Sequence, residues 1–457
     1  MYLAEAATAV SGMLTGENRE FFSVSTDSRK IEAGDLFVAL KGPHFNGHEY
    51  IKQAAAGGAC ALLVSEDVVS SLPVIRVDNT LQALGALAAA WKARHNVKTV
   101  AITGSCGKTS VKEMTAAILS RKGETLATQG NYNNEIGVPL TLLSLNERHE
   151  FAVIELGANH IGEIAYTVAL AKPDVAVITN AGSAHIEGFG SAENVARAKG
   201  EIYQGLPASG TAVINIDDKY SDYWQGITEG YQLMRFSLGN QSADLYASDI
   251  VVNNAGQYGF HLHKGNQSVA VQLQLLGKHN VLNAITAAAI SCALGMDLET
   301  IKQGVESVRP IRGRLLPLQC GQRVVIDDTY NANPVSVKAA ADMLAELDTK
   351  TCMVLGDMAE LGTHAPSMHR EVGEYIALQG IDFLVAKGKY AADYLVGFSK
   401  FQSEGQKSAR FDEFDEVVAY LNNQQPDTIL IKGSRSAGME QVVNLLCGAE
   451  SHYKRNH

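Results

Sequence analysis

From Lys98 onward the chain repeats one pattern: a short apolar run, a turn, then a stretch with apolar residues three and four apart. The runs KTVAIT, TLAT, FAVIELGA, DVAVITNAG and TAVINID alternate with helical spacing up to about Arg121, across PLTLLSL and through ENVARAKGEIY. Uninterrupted apolar strands between helices predict a parallel sheet covered on both faces. Residues 230–276 change to shorter alternating runs, YGFHLH and VAVQLQLL, which predict an antiparallel insertion or flank. A helix over NVLNAITAAAISCAL closes this part.

Beyond Gly313 the alternation resumes, with strands RVVIDD, TCMVLGDM, DFLVAKG and TILIKGS and helices across VKAAADMLAEL, HREVGEYIAL and MEQVVNLL. This reads as a Rossmann-like unit, but without the G-x-G-x-x-G fingerprint it is not assigned NAD or FAD. Before Lys98, LFVAL, YIKQAAAGG and CALLVS outline a small α/β unit, joined to the rest by the helix LQALGALAAAWKARH. The predicted fold class is α/β in three domains: a small N-terminal α/β domain over 1–83, a central P-loop-type parallel-sheet domain over 84–312, and a C-terminal Rossmann-like domain over 313–457.

Composition narrows the function. The chain has 457 residues, 46% hydrophobic and 19% charged, which suits about three folded domains. A formal charge of −11 argues against a nucleic-acid surface, because phosphate backbones require a basic face. No apolar run is long enough to span a bilayer, and no basic residue precedes Arg19 as in a secretory leader, so a cytoplasmic protein without membrane insertion is expected. Cys60, Cys106, Cys292, Cys320, Cys352 and Cys447 are scattered without a C-x-x-C pair, a spacing that suits a reducing compartment and excludes a thiolate zinc site.

The strongest chemical signal is AITGSCGKTSVKEM. Gly104, Ser105, Cys106 and Gly107 form a small-residue turn between strand and helix, where backbone N–H groups can surround phosphate oxygens. Lys108 can reach the terminal phosphates, Thr109 can offer a hydroxyl to Mg²⁺, and Ser110 follows them into the helix. The full pattern would require glycine at position 102, where the chain has Ile102. Ligands of open parallel sheets gather at the carboxyl ends of strands, which brings in Glu155, at the end of FAVIE, as a carboxylate for a hard cation. His185 follows DVAVITN and Lys199 lies in ARAKGE. Taken alone, these read as readily as a hydrogen-bonded loop imidazole and a solvated ammonium. IDDTYNANP is either an Asp/Asn-rich turn or a loop meeting ribose or phosphate, and the polar stretch Ser25 to Arg29 is either turn chemistry or a binding loop.

Together these residues resemble the Mur ligase family of peptidoglycan synthesis. The likeness rests on TDSRKIEAGDLFVALKG, TGSCGKTS, TQGNYNNEIGVPLTLL, ELGANHIGEI, TNAGSAHIEGFGS, ARAKGEI, GKHNVLNA, RGRLLP, DDTYNANPVS, VLGDMAELG and KGSRSAGME, in that order along nearly the whole chain. It implies an ATP-dependent amide-bond ligase with two substrates, UDP-N-acetylmuramoyl-tripeptide and D-alanyl-D-alanine. The tripeptide carboxylate would attack the ATP γ-phosphate, and the dipeptide amine would then displace phosphate from the acyl phosphate.

By the same resemblance Lys108 holds the β and γ phosphates, Thr109 and Glu155 bind one Mg²⁺, and His185 binds or shares a second. Lys199 matches a lysine that becomes carbamylated to serve as a metal ligand. Asn283, and less strongly Asn280, match adenine contacts; Arg314 matches a nucleotide contact and Asp328 a ribose contact. Ser28 and its neighbours would meet the uridine end, with Asn133, Asn134 and Glu135 elsewhere on that substrate. Asn331, Asn333, Lys432 and Arg435 would lie near the dipeptide. A monomer whose third domain closes on the other two when ligands bind is expected. A folylpolyglutamate synthetase shares the chemistry, but the TDSR domain disfavours it. A P-loop switch or motor would be expected to carry the full phosphate-loop pattern or a guanine-reading N-K-x-D.

Overall fold

The computed structural model describes residues 1–182, 186–254 and 256–448. Among these, three main sheets follow one another along the chain. The first places the strands Met13–Thr15, Val74–Arg76, Ala61–Val64, Asp35–Val38 and Ser23–Ser25 side by side. Its pairings are parallel except between Met13–Thr15 and Val74–Arg76.

The second sheet has nine strands and carries the phosphate loop. Lys98–Thr103 lies between His149–Glu155 and Val175–Ile178, paired parallel to both. Alternate residues of this strand face opposite cores. Val100 and Ile102 pack with Val111, Met114 and Ile118 of the helix Lys108–Leu119 and with Ile285 of the helix His279–Ala293. Ala101 faces Ile164, Val168 and Val195 on the other side. Burial on both faces is why the strands read as continuous apolar runs. The alternating region 230–276 is not a separate insertion. Gln232–Ser237 and Leu245–Val252 join in parallel, and only Gln257–Lys264 and Gln267–Leu276 turn antiparallel, extending the same sheet.

The third sheet is ordered Leu316–Cys320, Arg323–Asp328, Thr428–Lys432, Thr351–Leu355, Phe383–Lys387 and Lys407–Phe411. Four of its five pairings are parallel, with the edge strand Leu316–Cys320 antiparallel. Between the first two sheets, the helix Thr80–Lys92 runs across residue 83. Leu84 and Leu87 sit in the core of the first unit while Ala88 belongs to that of the second, so one helix is shared by both.

One contact departs from the sequence expectation. Cys320 and Cys447, 127 residues apart, form a disulfide between the third sheet's edge strand and the helix Glu440–Cys447. Their spacing gives no hint of it, because only the folded sheet brings that edge to the helix. No described helix is long and apolar enough to cross a membrane.

Candidate active site

A cleft of about 870 Å³ opens at the carboxyl ends of the central strands and is walled by the second and third units. Its floor is the phosphate loop. Gly104, at φ +154°, passes so close to Thr179 that any side chain would collide with that hydroxyl. Gly107, at φ +82°, precedes the helix Lys108–Leu119, and a Cβ there would lie 2.5 Å from Asn283 Oδ1. Glycine is therefore required twice, for left-handed backbone and for close approach.

The loop is braced by residues that the sequence did not single out. Asn180 Oδ1 accepts from Cys106 N (3.0 Å), and its amide donates to Cys106 O (3.1 Å). Thr179 Oγ1 donates to the same carbonyl (2.6 Å). Ser105 Oγ accepts from Gly182 N at 2.9 Å. The available signal was position: Thr179 and Asn180 directly follow the neighbouring strand Val175–Ile178. Lys108 Nζ donates to Gly104 O at 2.6 Å, folding across its own loop. Ser110 also lines the cleft.

Glu155 ends its strand almost fully buried and is shared by two neighbours. Thr109 Oγ1 donates to Oε2 (2.9 Å), and Asn133 Nδ2 donates to Oε1 (2.8 Å). A hydroxyl beside an anionic carboxylate is a donor set that fits a hard divalent cation. Asn134 Oδ1 accepts from Gly137 N at 2.9 Å, where the helix Gly137–Leu143 begins, and Glu135 lines the cleft beside it.

Lys199 lies on the helix Ala192–Gly200, whose start Ser191 caps by accepting from Asn194 N at 3.2 Å. Its side chain is 2% exposed and lines the cleft. Among the described residues, no carboxylate lies within ion-pair distance of it. Burial, reinforced by the positive charge of Lys108, pulls its ammonium pKa down to about 7. The solvated-ammonium reading of Lys199 does not hold. His185 lies outside the described residues.

The third unit supplies the opposite wall. Arg314 Nη2 donates to Thr109 Oγ1 (3.1 Å), and its guanidinium sits 4.3 Å over the Tyr330 ring. Asn333 caps the helix Pro334–Ala345, accepting from Ser336 N at 2.9 Å, and its amide lies 3.3 Å from Cys106 Sγ. Asp328 and Lys432 occupy adjacent positions on paired strands. Lys432 Nζ donates to Asp328 Oδ2 (2.7 Å) and to Asn331 O (2.8 Å), so Lys432 organises the DDTYN loop from beneath. Burial raises the Asp328 carboxyl against the pull of the Lys432 ammonium.

Asn283 Nδ2 donates to Asn280 Oδ1 at 2.9 Å, and both asparagines line the cleft beside His279. Burial pushes the His279 imidazole down to about 4, so it is neutral. Two expected residues stand apart from the cleft. Ser28 Oγ donates to Gln53 Oε1 (3.1 Å) on the first unit, and Arg435 is exposed, with Nη1 3.4 Å from Glu440.

A phosphate loop, a buried carboxylate and a lysine without a counter-ion among the described residues, facing a second α/β unit across one cleft, define a nucleotide-dependent ligase site. Three family models match the chain: Mur ligase family, catalytic domain, over 20–92; Mur ligase middle domain over 102–291; and Mur ligase, glutamate ligase domain, over 313–435. The chain belongs to the Mur ligase family.

Among its relatives is the UDP-N-acetylmuramoyl-tripeptide–D-alanyl-D-alanine ligase of Escherichia coli, 44% identical over 97% of this chain and 98% of that protein. The Bacillus subtilis enzyme of the same name is 34% identical over 96% of each. Of solved structures, MurF from Acinetobacter baumannii superposes with a TM-score of 0.91 at 36% identity, covering 97% of this chain and 98% of that one. MurF from Thermotoga maritima in complex with ADP gives 0.82 at 26% identity, over 93% and 96%.

Proposed function

We propose that the protein joins D-alanyl-D-alanine to UDP-N-acetylmuramoyl-tripeptide at the expense of ATP, releasing ADP and phosphate. One observation carries the reading beyond the near full-length likeness: Glu155 is held between Thr109 of the phosphate loop and Asn133 of the substrate loop. That arrangement supports a nucleotide and a peptide carboxylate meeting at Glu155.

The phosphate loop fixes ATP through its backbone N–H groups, and Lys108 leaves Gly104 O to meet the terminal phosphates. Asn133, Asn134 and Glu135 hold the tripeptide so that its carboxylate faces the γ-phosphorus. Attack forms the acyl phosphate and expels ADP. The dipeptide amine, deprotonated, then adds to the acyl carbon, and collapse of the adduct releases phosphate. Positioning and charge stabilisation supply most of the acceleration, because charge gathers at one point in both steps. Arg314 and Asp328 close over the nucleotide, with Asn283 and Asn280 at the base. Ser28 and its neighbours take the uridine end, while Asn331, Asn333 and Lys432 face the dipeptide; Arg435, which stands outside the cleft, is given no contact.

Magnesium, carried with the nucleotide, supplies positive charge against the phosphate oxygens. Thr109 and Glu155 would hold one ion and His185 would share a second. The neutral amine of Lys199 adds to CO₂, losing a proton, to give a carbamate, an anionic oxygen ligand in place of a cation that repels metal. The buried amine and its lowered pKa support this. The reading includes a cytoplasmic monomer with domain boundaries near residues 83 and 312.

The test is ADP release with the UDP-linked tripeptide, with and without D-alanyl-D-alanine. ADP formation that depends on the dipeptide, and a product heavier by its residue mass, are expected. ADP release indifferent to the dipeptide overturns the assignment.

A further inference from the structure

The mechanism leaves one buried charge unused. Lys112 lies one helical turn beyond Lys108, on the helix that the phosphate loop opens, and is only 2% exposed. Its flanks, Val111 and Met114, are core residues, and an apolar side chain of similar length could occupy the site. Burying an ammonium there is costly unless the group is paired. Its Nζ donates to Thr128 O at 2.6 Å and meets Glu113 Oε1 at 2.7 Å.

Thr128 is the point from which the substrate loop departs, immediately after the strand Glu124–Ala127. Its N–H donates to Val153 O (3.0 Å), and its hydroxyl accepts from Glu155 N (3.0 Å). Three contacts on one residue therefore tie the phosphate-loop helix, the root of the substrate loop and the Glu155 backbone together. Glu155 in turn receives Thr109 on one oxygen and Asn133 on the other. Asn133 is fixed at its own backbone, where its carbonyl accepts from Gly157 N at 2.8 Å.

We propose that Lys112 is a positioning residue, whose buried ammonium group, anchored on Thr128, sets the aim of the Glu155 carboxylate between the nucleotide side and the peptide side of the cleft. It touches neither substrate. The inference rests on the proposed function in that Glu155 serves the nucleotide's magnesium. The residues that hold a metal ligand in place commonly control its affinity by 10–100-fold.

The experiment is a fluorescent-ADP titration at varied Mg²⁺ on the full chain, comparing wild type, Lys112→Met and Thr128→Val, with thermal midpoints and amide exchange over 129–134 recorded alongside. Thr128→Val keeps the carbonyl that Lys112 uses but deletes the hydroxyl that fixes Glu155. In both variants the Mg²⁺ concentration that half-saturates ADP binding should rise about tenfold, with faster exchange over 129–134 before nucleotide is added. The double variant should cost no more than the larger single change, because both act through one chain of contacts.

If Lys112→Met lowers the thermal midpoint while leaving the Mg²⁺ half-saturation within about twofold, Lys112 is a packing residue and the proposal fails. Should that variant not fold, Thr128→Val decides alone, and an unchanged half-saturation overturns the proposal. ADP binding is read without the dipeptide, so failure of the ligase assignment would show separately in the ADP-release assay.

Discussion

Replacing Lys432 by Met is the sharpest perturbation of the third unit. It removes the partner of a buried carboxylate while filling most of the same volume. Lys432 is 3% exposed and Asp328 9%, with 2.7 Å between the charged atoms. Without the ammonium, Asp328 retains Leu315 N at 3.3 Å on its other oxygen, and Asn331 O loses the 2.8 Å donor. Breaking a buried pair from one side costs about 3–5 kcal/mol, far more than the pair's net worth, because a charge is left buried and uncompensated. For a urea slope of about 2 kcal/mol/M this moves the third unit's midpoint down by about 2 M.

The deficit also depends on pH, and its sign follows from Asp328. Burial already raises this carboxyl, and loss of Lys432 removes the main opposing charge. The folded state then binds a proton more readily than the unfolded chain over the interval between the ordinary carboxyl pKa and the raised value. Stability of the variant accordingly falls as pH rises through that interval. The variant should be closer to wild type at pH 5 than at pH 8, and adding Asp328→Asn should recover most of the loss. Urea melts followed by a fluorescent reporter in the third unit measure all three. A deficit under about 1 kcal/mol, an equal deficit at both pH values, or no recovery in the double variant would refute the reasoning.

Two further outcomes are expected. Lys199→Ala should abolish dipeptide-dependent ADP release, and short-chain carboxylic acids should partly restore it by supplying the missing oxygen ligand; a fully active variant disposes of the carbamate. Gly107→Ala forces an L residue into φ +82° and drives its Cβ to 2.5 Å from Asn283 Oδ1. A strain of about 1–2 kcal/mol should weaken ADP binding by roughly tenfold in calorimetry, and unchanged affinity contradicts the close packing.

The parallel sheets were legible because their strands are buried on both faces, so VAVI and TILI need no alternation to be recognised. Lys407–Phe411 was missed, since KSARF is a polar edge strand that no apolar pattern marks. Among the candidate site residues, the phosphate loop, Glu155 and Lys199 stand out in the sequence because strand ends and motif order point to them, and in the structure they line one cleft. The braces were not. Asn180 reaches Cys106 across 74 positions and Lys112 reaches Thr128 across 16, pairings that arise only once helix and strands are packed. Lys432 was placed near the dipeptide from resemblance, but its role in anchoring Asp328 and Asn331 depends on neighbouring strands far apart in sequence.

The divided attention of Glu155 limits how this scaffold can diversify. With one carboxylate oxygen facing Thr109 and the other Asn133, a substitution that re-aims the side chain for a new peptide also disturbs the nucleotide side. A change of peptide is therefore accommodated more easily in the first unit, whose Ser28 stands apart from the cleft, than at Glu155. The same coupling offers an opening to inhibitors: under the proposed mechanism, a small molecule that draws Asn133 off Glu155 would disturb the peptide and nucleotide sides of the cleft from a single foothold.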